Sequence, residues 1–162
     1  MKRSADSATT LGMKEQTWRR HANPWSVRTR LATVPFIVLA AYSWTWIGWW
    51  ALAPGAAIAL WLWLNVLVFP PVDEPVRWES RAIFGEKIWL ASKARDLPQP
   101  ELGRARAPLV ASFAAVALAA YGIIFLQPVA AAAGAAGVIA GQIWFLDSLA
   151  RLFDAVDSRP LG

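Results

Sequence analysis

Two long apolar tracts dominate the chain. Residues 31–69 contain no charged side chain, and neither do residues 107–146. A bilayer core about 30 Å thick requires roughly 20 apolar residues per helix, so each tract is long enough for two crossings and a tight turn. Neither tract has the polar face that a helix on the surface of a soluble bundle keeps. The pattern therefore predicts an all-α integral membrane protein.

Each tract contains a turn near its middle. In the first, four tryptophans fall within residues 44–50, ahead of Pro54. Indole rings favour the membrane–water interface, and proline suits the first turn of a helix. In the second tract, Pro128 can open a helix in the same way. These turns predict four transmembrane helices, arranged as two hairpins, near residues 31–47, 53–69, 108–126 and 128–147.

A short cytoplasmic helix is expected between the two hairpins. The loop 70–106 opens with several prolines and acidic residues, and its segment 78–94 resembles a helix that ends before Pro98. Past the second hairpin, Asp147, Arg151 and Asp154 recur at helical spacing, which predicts that the fourth helix continues to residue 156.

The chain is expected to form one membrane domain with two tails. Residues 17–30 alternate tryptophan with arginine, which is typical of a segment lying on the inner leaflet. Asn23-Pro24 predicts a break, and Ser26 is a plausible cap for the first membrane helix. The predicted organisation is a flexible tail 1–16, a domain 17–156 (interfacial segment 17–30, hairpin 31–69, cytoplasmic loop and helix 70–106, hairpin 107–147, helix extension to 156) and a tail 157–162.

The basic residues predict the orientation. Seven of the 16 lysines and arginines lie in residues 1–30, seven lie in residues 70–106, and the two predicted hairpin turns hold none. The positive-inside rule then places both termini and the central loop in the cytoplasm, in a multi-pass protein of the cytoplasmic membrane. No cleavable signal peptide is expected, because the first 30 residues are polar.

Composition excludes several kinds of chemistry. The chain has 11 Trp, 57% hydrophobic residues and no Cys, so disulfides, thiolate metal sites and a Cys nucleophile are ruled out. Its net charge of +5 is concentrated in residues 1–30, as an orientation signal requires, and nucleic acid is not an expected partner. His21 is the only histidine, and no H-E-x-x-H spacing occurs. No metal and no cofactor are therefore predicted.

Two amides and a set of glycines fall inside the predicted spans. Asn65 and Gln142 are expected to hydrogen-bond across helices, with a substrate contact or a pore lining as the alternatives. Gly134, Gly137 and Gly141 give the fourth helix a small face, which would allow close packing inside the monomer or in a homodimer.

Other candidate residues cluster near the predicted cytoplasmic face. The candidates for catalysis are His21, Asn23, Glu79 and Glu86, and those for a ligand or lipid head group are Arg20, Ser26, Arg28, Arg30 and Arg81. An acid and a base of this kind could serve a membrane enzyme. The alternative is a salt-bridged, solvated face, since Arg81 and Lys87 can pair with the two glutamates.

Three polar blocks carry a resemblance to a known family. They are the segment 20–30 (R-H-A-N-P-W-S-V-R-T-R), Asn65 with the segment 69–71, and Trp78-Glu79-Ser80-Arg81 followed by Gly85-Glu86. Over about residues 18–97, the sequence resembles a "domain of unknown function" family of small prokaryotic integral membrane proteins. The resemblance implies a multi-span membrane protein and no particular activity, cofactor or partner.

Three functions fit this sequence. The first is an accessory or scaffold protein, whose cytoplasmic face contacts anionic lipid head groups, a membrane protein partner or a second copy of the chain. The second is a membrane enzyme or lipid head-group binder with an interfacial polar pocket. The third is a channel or weak transporter. A proton-coupled exporter is disfavoured because no predicted span has an ionisable group at its centre.

Overall fold

The computed structural model describes residues 15–91 and 99–158, with the side chains of residues 99–102 excepted. The described residues confirm the all-helical prediction and contain no strand. The helices are α1 (Glu15–His21), α2 (Pro24–Tyr42), α3 (Trp44–Ile47), α4 (Leu52–Val68), α5 (Trp78–Ala91), α6 (Gln99–Ile124) and α7 (Pro128–Asp157), and a 3-10 turn, Gly48–Ala51, links α3 to α4.

Three helical stretches are long and apolar enough to cross a membrane. They are Pro24–Val68, which joins α2 to α4 through the turn, and the segments Gly103–Ile124 and Pro128–Asp157. Their length and composition support a membrane protein. The finer arrangement, four crossings in two hairpins, stays a prediction.

The first long helix begins earlier than expected, because its cap is Asn23 and not Ser26. The Asn23 side chain accepts a hydrogen bond from the backbone N–H of Trp25 at 3.0 Å, and Pro24 occupies the first helical position. The prediction that Ser26 caps this helix was wrong. The segment 17–30 is accordingly divided between α1 and the first two turns of α2.

The helix of the second apolar tract, α6, also begins earlier than expected, at Gln99. Pro108 therefore lies in the interior of this helix. Proline has no N–H to donate to the carbonyl four residues before it, here that of Arg104. The Ser148 hydroxyl of α7 lies 3.4 Å from this carbonyl oxygen and 3.0 Å from the carbonyl oxygen of Trp144 in its own helix, and its single proton can be donated to either. A neighbouring helix thus brings a hydroxyl donor within reach of the carbonyl that the proline leaves without an N–H.

The remaining boundaries differ by a few residues. Helix α5 starts at the predicted Trp78 and is described to Ala91, and positions 92–94 of the predicted helix fall outside the described residues. Helix α7 runs through the predicted extension to Asp157. Of the predicted N-terminal tail, only Glu15 and Gln16 are described, and both belong to α1.

Close helix packing depends on small residues. A Cβ added at Gly134 or Gly122 would overlap the backbone of Ala119 or Ala131 on the facing helix, so α6 and α7 approach nearly backbone to backbone. A Cβ at Gly85 of α5 would overlap the backbone carbonyl of Leu149 on α7. Helix α7 is therefore the central element against which α5 and α6 pack.

The core joins the short helices α1 and α5 to α7. One buried cluster unites α1, α2, α5 and α7, and its members are Trp18, Ala22, Val27, Ala82, Ile83, Leu146 and Ala150. Helix α4 differs, since Asn65 is its only buried residue. The tryptophans of the α3 turn are strongly exposed, as a lipid interface would allow: Trp46 70%, Trp49 75% and Trp50 79%.

Candidate functional site

The polar blocks of the sequence meet in one region, where α1, the start of α2, the end of α4 and α5 come together. We call this region the polar layer. Arg20 Nη1 donates to the carbonyl oxygen of Leu67 at 2.7 Å, and Asn23 Nδ2 donates to that of Pro70 at 3.1 Å. Leu67 lies in the last turn of α4, where helix carbonyls lack intrahelical donors, and Pro70 lies in the loop that follows this helix. The first block thereby anchors the second.

Asn65 is the most enclosed member of the polar layer. Its side chain is fully buried; Ser26 Oγ donates to its Oδ1 at 2.5 Å, and its Nδ2 donates to Thr29 Oγ1 at 2.7 Å. These bonds satisfy both ends of the amide and tie α4 to α2. The sequence suggested an amide bonded across helices but did not identify Ser26 and Thr29 as its partners.

Glu79 forms the ionic part of the polar layer. It is 6% exposed, and Arg28 Nε and Nη2 contact its Oε1 at 2.7 and 2.6 Å. Arg77 Nε lies 3.7 Å from the other oxygen. Burial alone would raise the pKa of Glu79, but a hydrogen bond from its own backbone N–H and the two arginines outweigh burial and lower that pKa. Glu79 is thus held as a carboxylate that joins α5 to α2.

Three further side chains of the third block contact other parts of the chain. Ser80 Oγ donates to the carbonyl oxygen of Ala22 at 2.8 Å, inside the protein. Arg81 Nη1 lies 3.2 Å from an Asp154 oxygen of α7. Neighbouring Trp78 donates through Nε1 to Asp147 at 3.3 Å, which also links α5 to α7.

A small cavity of about 260 Å³ lies beside the polar layer. Four polar side chains line it, one each from α1, α2, α5 and α7: His21, Arg30, Glu86 and Gln142. The rest of its wall is apolar and consists of Val27, Leu31, Val34, Ile83, Val138, Phe145 and Leu146. Of the four candidates for catalysis, only His21 and Glu86 face this space, since Asn23 caps α2 and Glu79 pairs with Arg28.

Neutral groups surround the Arg30 guanidinium. Its Nη1 lies 2.9 Å from His21 Nδ1 and also contacts Nε2, while Nη2 and Nε donate to the carbonyl oxygens of His21 and Ser26, each at 3.1 Å. Burial, followed by the positive charge of Arg30, lowers the pKa of His21 from 6.5 to about 3. The imidazole is therefore neutral near pH 7 and acts as an acceptor for Arg30.

Glu86 completes the cavity on the α5 side. Burial raises the pKa of its carboxyl group, and the charge of Arg30 offsets that rise only in part. Although both residues are described, no ion pair within 4 Å joins Glu86 to Arg30. Two opposite charges thus line one cavity without touching, and neighbouring Gln142 adds a donor and an acceptor.

The small face of α7 lies outside this site. Gly134, Gly137 and Gly141 face Ala119, Ala115 and Ser112 of α6 in the same chain. Among the described residues, no group of three His, Cys, Asp or Glu side chains is placed to hold a metal ion. The site can therefore offer hydrogen bonds and charge, supplied by the side chains that line the cavity.

Comparison with known proteins identifies the family of this chain and gives no further match. Neither a curated protein nor a solved structure matches the chain. The expected resemblance to a family of unknown function is confirmed, and the match extends well beyond residues 18–97 into the alanine-rich second half. A family model matches residues 3–160, and the chain therefore belongs to DUF6653, a family of unknown function.

Proposed function

We propose that this chain is a multi-pass accessory or scaffold protein of the cytoplasmic membrane that binds a membrane protein partner. One observation carries the proposal: the polar side chains that mark the sequence bind other parts of the same chain. Arg20, Arg28, Arg30 and Arg81 each engage an internal partner. Such a layer stabilises a particular arrangement of helices, which is the requirement of a scaffold.

Four crossings account best for the helix lengths. As one straight helix, Pro24–Val68 would be about 68 Å long, more than twice a bilayer core. Divided at the α3 turn, α2 and α4 have 19 and 17 residues, or about 28 and 26 Å. Each length suits one crossing. The basic residues before α2, in its first two turns and between α4 and α6 support the proposal that both termini lie on the cytoplasmic side.

The outer face of α4 is the surface we assign to the partner. It exposes 54% of Leu60, 66% of Trp63 and 53% of Leu67, because α4 packs mainly on α1 and α2. Van der Waals packing is one of the forces that drive helix association within lipid, and the large side chains on this face offer packing area to a second membrane helix. Lipid alone covering this face is the competing outcome.

Site-specific photo-crosslinking tests the partner. A benzophenone amino acid placed at Trp63 should capture the same membrane protein in repeated preparations from the native membrane. The matched position is Phe113 on α6, which is 67% exposed and should capture lipid only. Capture of lipid alone at both positions, or of identical proteins at both, would refute a partner surface on α4.

The absence of cysteine gives a direct test of topology. Single cysteines at Thr45 and Gln127, both exposed in the turns, should react with an impermeant maleimide added outside intact spheroplasts. A cysteine at Ser158, just after α7, should react only after permeabilisation. Labelling of Ser158→Cys from outside, or protection of Thr45→Cys, would overturn the proposed orientation.

A further inference from the structure

We propose that the cavity lined by His21, Arg30, Glu86 and Gln142 binds a small zwitterion, with its ammonium group against Glu86 and its oxyanion against Arg30. The scaffold role assigns no ligand to this cavity, so the inference goes beyond that role. Two ligands share this chemistry: a free apolar α-amino acid and the head group of phosphatidylethanolamine.

The first argument is charge complementarity. Arg30 and Glu86 line the same cavity, yet they are not joined by an ion pair within 4 Å. The close partners of Arg30 are the imidazole of His21 and two backbone carbonyls, all of them neutral. A partly buried charge without a counter-ion costs free energy. A ligand that carries both charges would compensate both residues at once, whereas an ion of one sign would compensate only one.

The second argument is the supply of hydrogen bonds. A guanidinium group has five N–H donors in a planar fork. Contacts to Ser26 and His21 engage at least one donor on each of the three guanidinium nitrogens of Arg30, which leaves at most two for an oxyanion. Paired donors of this kind suit a carboxylate or phosphate. Gln142, which also lines the cavity, can add a donor or an acceptor to the same ligand.

The third argument is size and wall chemistry. At about 260 Å³, the cavity lies just below the range of roughly 300–1,000 Å³ that holds drug-sized ligands. Apart from its four polar side chains, its wall is aliphatic with one aromatic ring, that of Phe145. This space suits a ligand with a zwitterionic end and a short apolar part, as an apolar α-amino acid has. The phosphoethanolamine head group is of comparable size, with two methylenes between its charges.

The charged groups predict the sign of the pH dependence. Facing Glu86 are His21 from α1, which is neutral near pH 7, and Arg30 from α2, whereas α7 contributes no titratable side chain to the lining. Burial raises the pKa of Glu86, and a bound ammonium group would lower it. Binding of a zwitterion should therefore tighten as pH rises through that pKa. An anion that prefers protonated Glu86 would show the opposite trend.

Calorimetric titration of the full chain in detergent micelles tests the proposal. The probes are leucine, isocaproate (leucine without its amino group), isoamylamine (leucine without its carboxylate) and phosphoethanolamine. The thermal stability of the chain in phosphatidylethanolamine nanodiscs is compared with that in phosphatidylglycerol nanodiscs. If the ligand is a free amino acid, we expect leucine to bind at least about tenfold more tightly than either singly charged analogue. If the ligand is the lipid, we expect the same advantage for phosphoethanolamine, together with a higher thermal stability in phosphatidylethanolamine nanodiscs.

Variants locate the site. Glu86→Gln should weaken zwitterion binding by about tenfold or more. It should leave isocaproate binding no weaker, because the variant removes a carboxylate that repels an anion. The matched control is Asp154→Asn, which removes an exposed carboxylate outside the cavity and should bind like the parent chain. If Glu86→Gln does not fold, the relative affinities of the analogues and the pH dependence of binding to the parent chain still test the zwitterion site.

The outcomes separate the two sources. Preference for leucine supports a free amino acid, and preference for the phosphatidylethanolamine head group supports a lipid ligand; either result supports the zwitterion site. The proposal is overturned if no probe binds, if a singly charged analogue binds as tightly as the zwitterion, or if Glu86→Gln binds the zwitterion unchanged. None of these results alters the test of the partner surface on α4.

Discussion

Ser26 Oγ donates a hydrogen bond to Asn65 Oδ1 at 2.5 Å, and this bond joins the first turn of α2 to the last turn of α4. The two residues are 39 positions apart, and neither has measurable contact with solvent. Because Asn65 is the one buried residue of α4, this bond and the Asn65–Thr29 bond are polar links to α4 made from inside the protein, whereas the Arg20–Leu67 bond lies at an exposed position.

Replacing Asn65 with alanine should loosen α4. Polar bonds between membrane helices contribute about 0.6–2 kcal/mol, so a loss of about 1–2 kcal/mol in unfolding free energy is expected. This loss is measured by comparing the unfolding free energies of the variant and the parent chain in mild detergent. The control Leu67→Ala truncates a side chain that is 53% exposed on the same helix and should cost less. Equal losses for the two variants would show that the Ser26–Asn65–Thr29 bonds add nothing specific.

Gly85 should tolerate no side chain. A Cβ there would overlap the carbonyl of Leu149, so Gly85→Ala must separate α5 from α7, and overpacking of this kind typically costs about 1–3 kcal/mol. Gly55→Ala provides the comparison, because no atom lies within 4 Å of the added Cβ on α4. Thermal unfolding should show a clear loss for the first variant and none for the second. An unchanged melting temperature for Gly85→Ala would contradict the close packing of α5 on α7.

The Arg28–Glu79 pair should contribute more to the stability of the fold than the Arg81–Asp154 pair. Glu79→Gln leaves Arg28 without its counter-ion at a buried carboxylate position, and a loss of about 1–3 kcal/mol is expected. Asp154→Asn breaks a more exposed pair and should cost at most about 1 kcal/mol. Urea or thermal unfolding of the two variants gives the comparison. The ranking fails if Asp154→Asn proves the more damaging change.

Acid should destabilise the fold through His21. The pKa of His21 is 6.5 when unperturbed and about 3 in the fold, so protons bind the unfolded chain more tightly. The stability that the neutral imidazole contributes is present above pH 6.5 and is lost as pH falls toward 3. Glu86 has the opposite sign, because its pKa is raised, and Glu79 has the same sign as His21 but acts only near and below pH 4.5.

The variant His21→Gln isolates this contribution. Between pH 6.5 and 4.5, the melting temperature of the parent chain should fall more steeply than that of His21→Gln, which carries no titratable group at this position. The slope that remains then comes from carboxyl groups, Glu86 among them. Parallel profiles over this interval would show that the pKa of His21 is not lowered in the fold.

Local sequence determined that the protein is all-helical, where its apolar stretches lie and where the turns between the helices fall. Charge-free tracts of about 40 residues have few alternatives to membrane helices, because backbone groups in lipid must bond within their own segment. The turn tryptophans and Pro128 fixed the regions where helices end. Even the early start of α2 had a local signal, since Asn23-Pro24 is a strong cap followed by a residue suited to the first turn.

The tertiary structure alone decided how the polar residues are used. Glu79 and Glu86 are two turns apart on α5 and look equivalent in the sequence, yet one meets Arg28 while the other faces the cavity beside Arg30. Likewise, the Ser148 hydroxyl comes within reach of the Arg104 carbonyl only because α7 passes beside the interruption at Pro108. Spacing along a helix reveals which side chains share a face. Which partner that face meets depends on how α1, α2, α5 and α7 pack, and no local pattern encodes this packing.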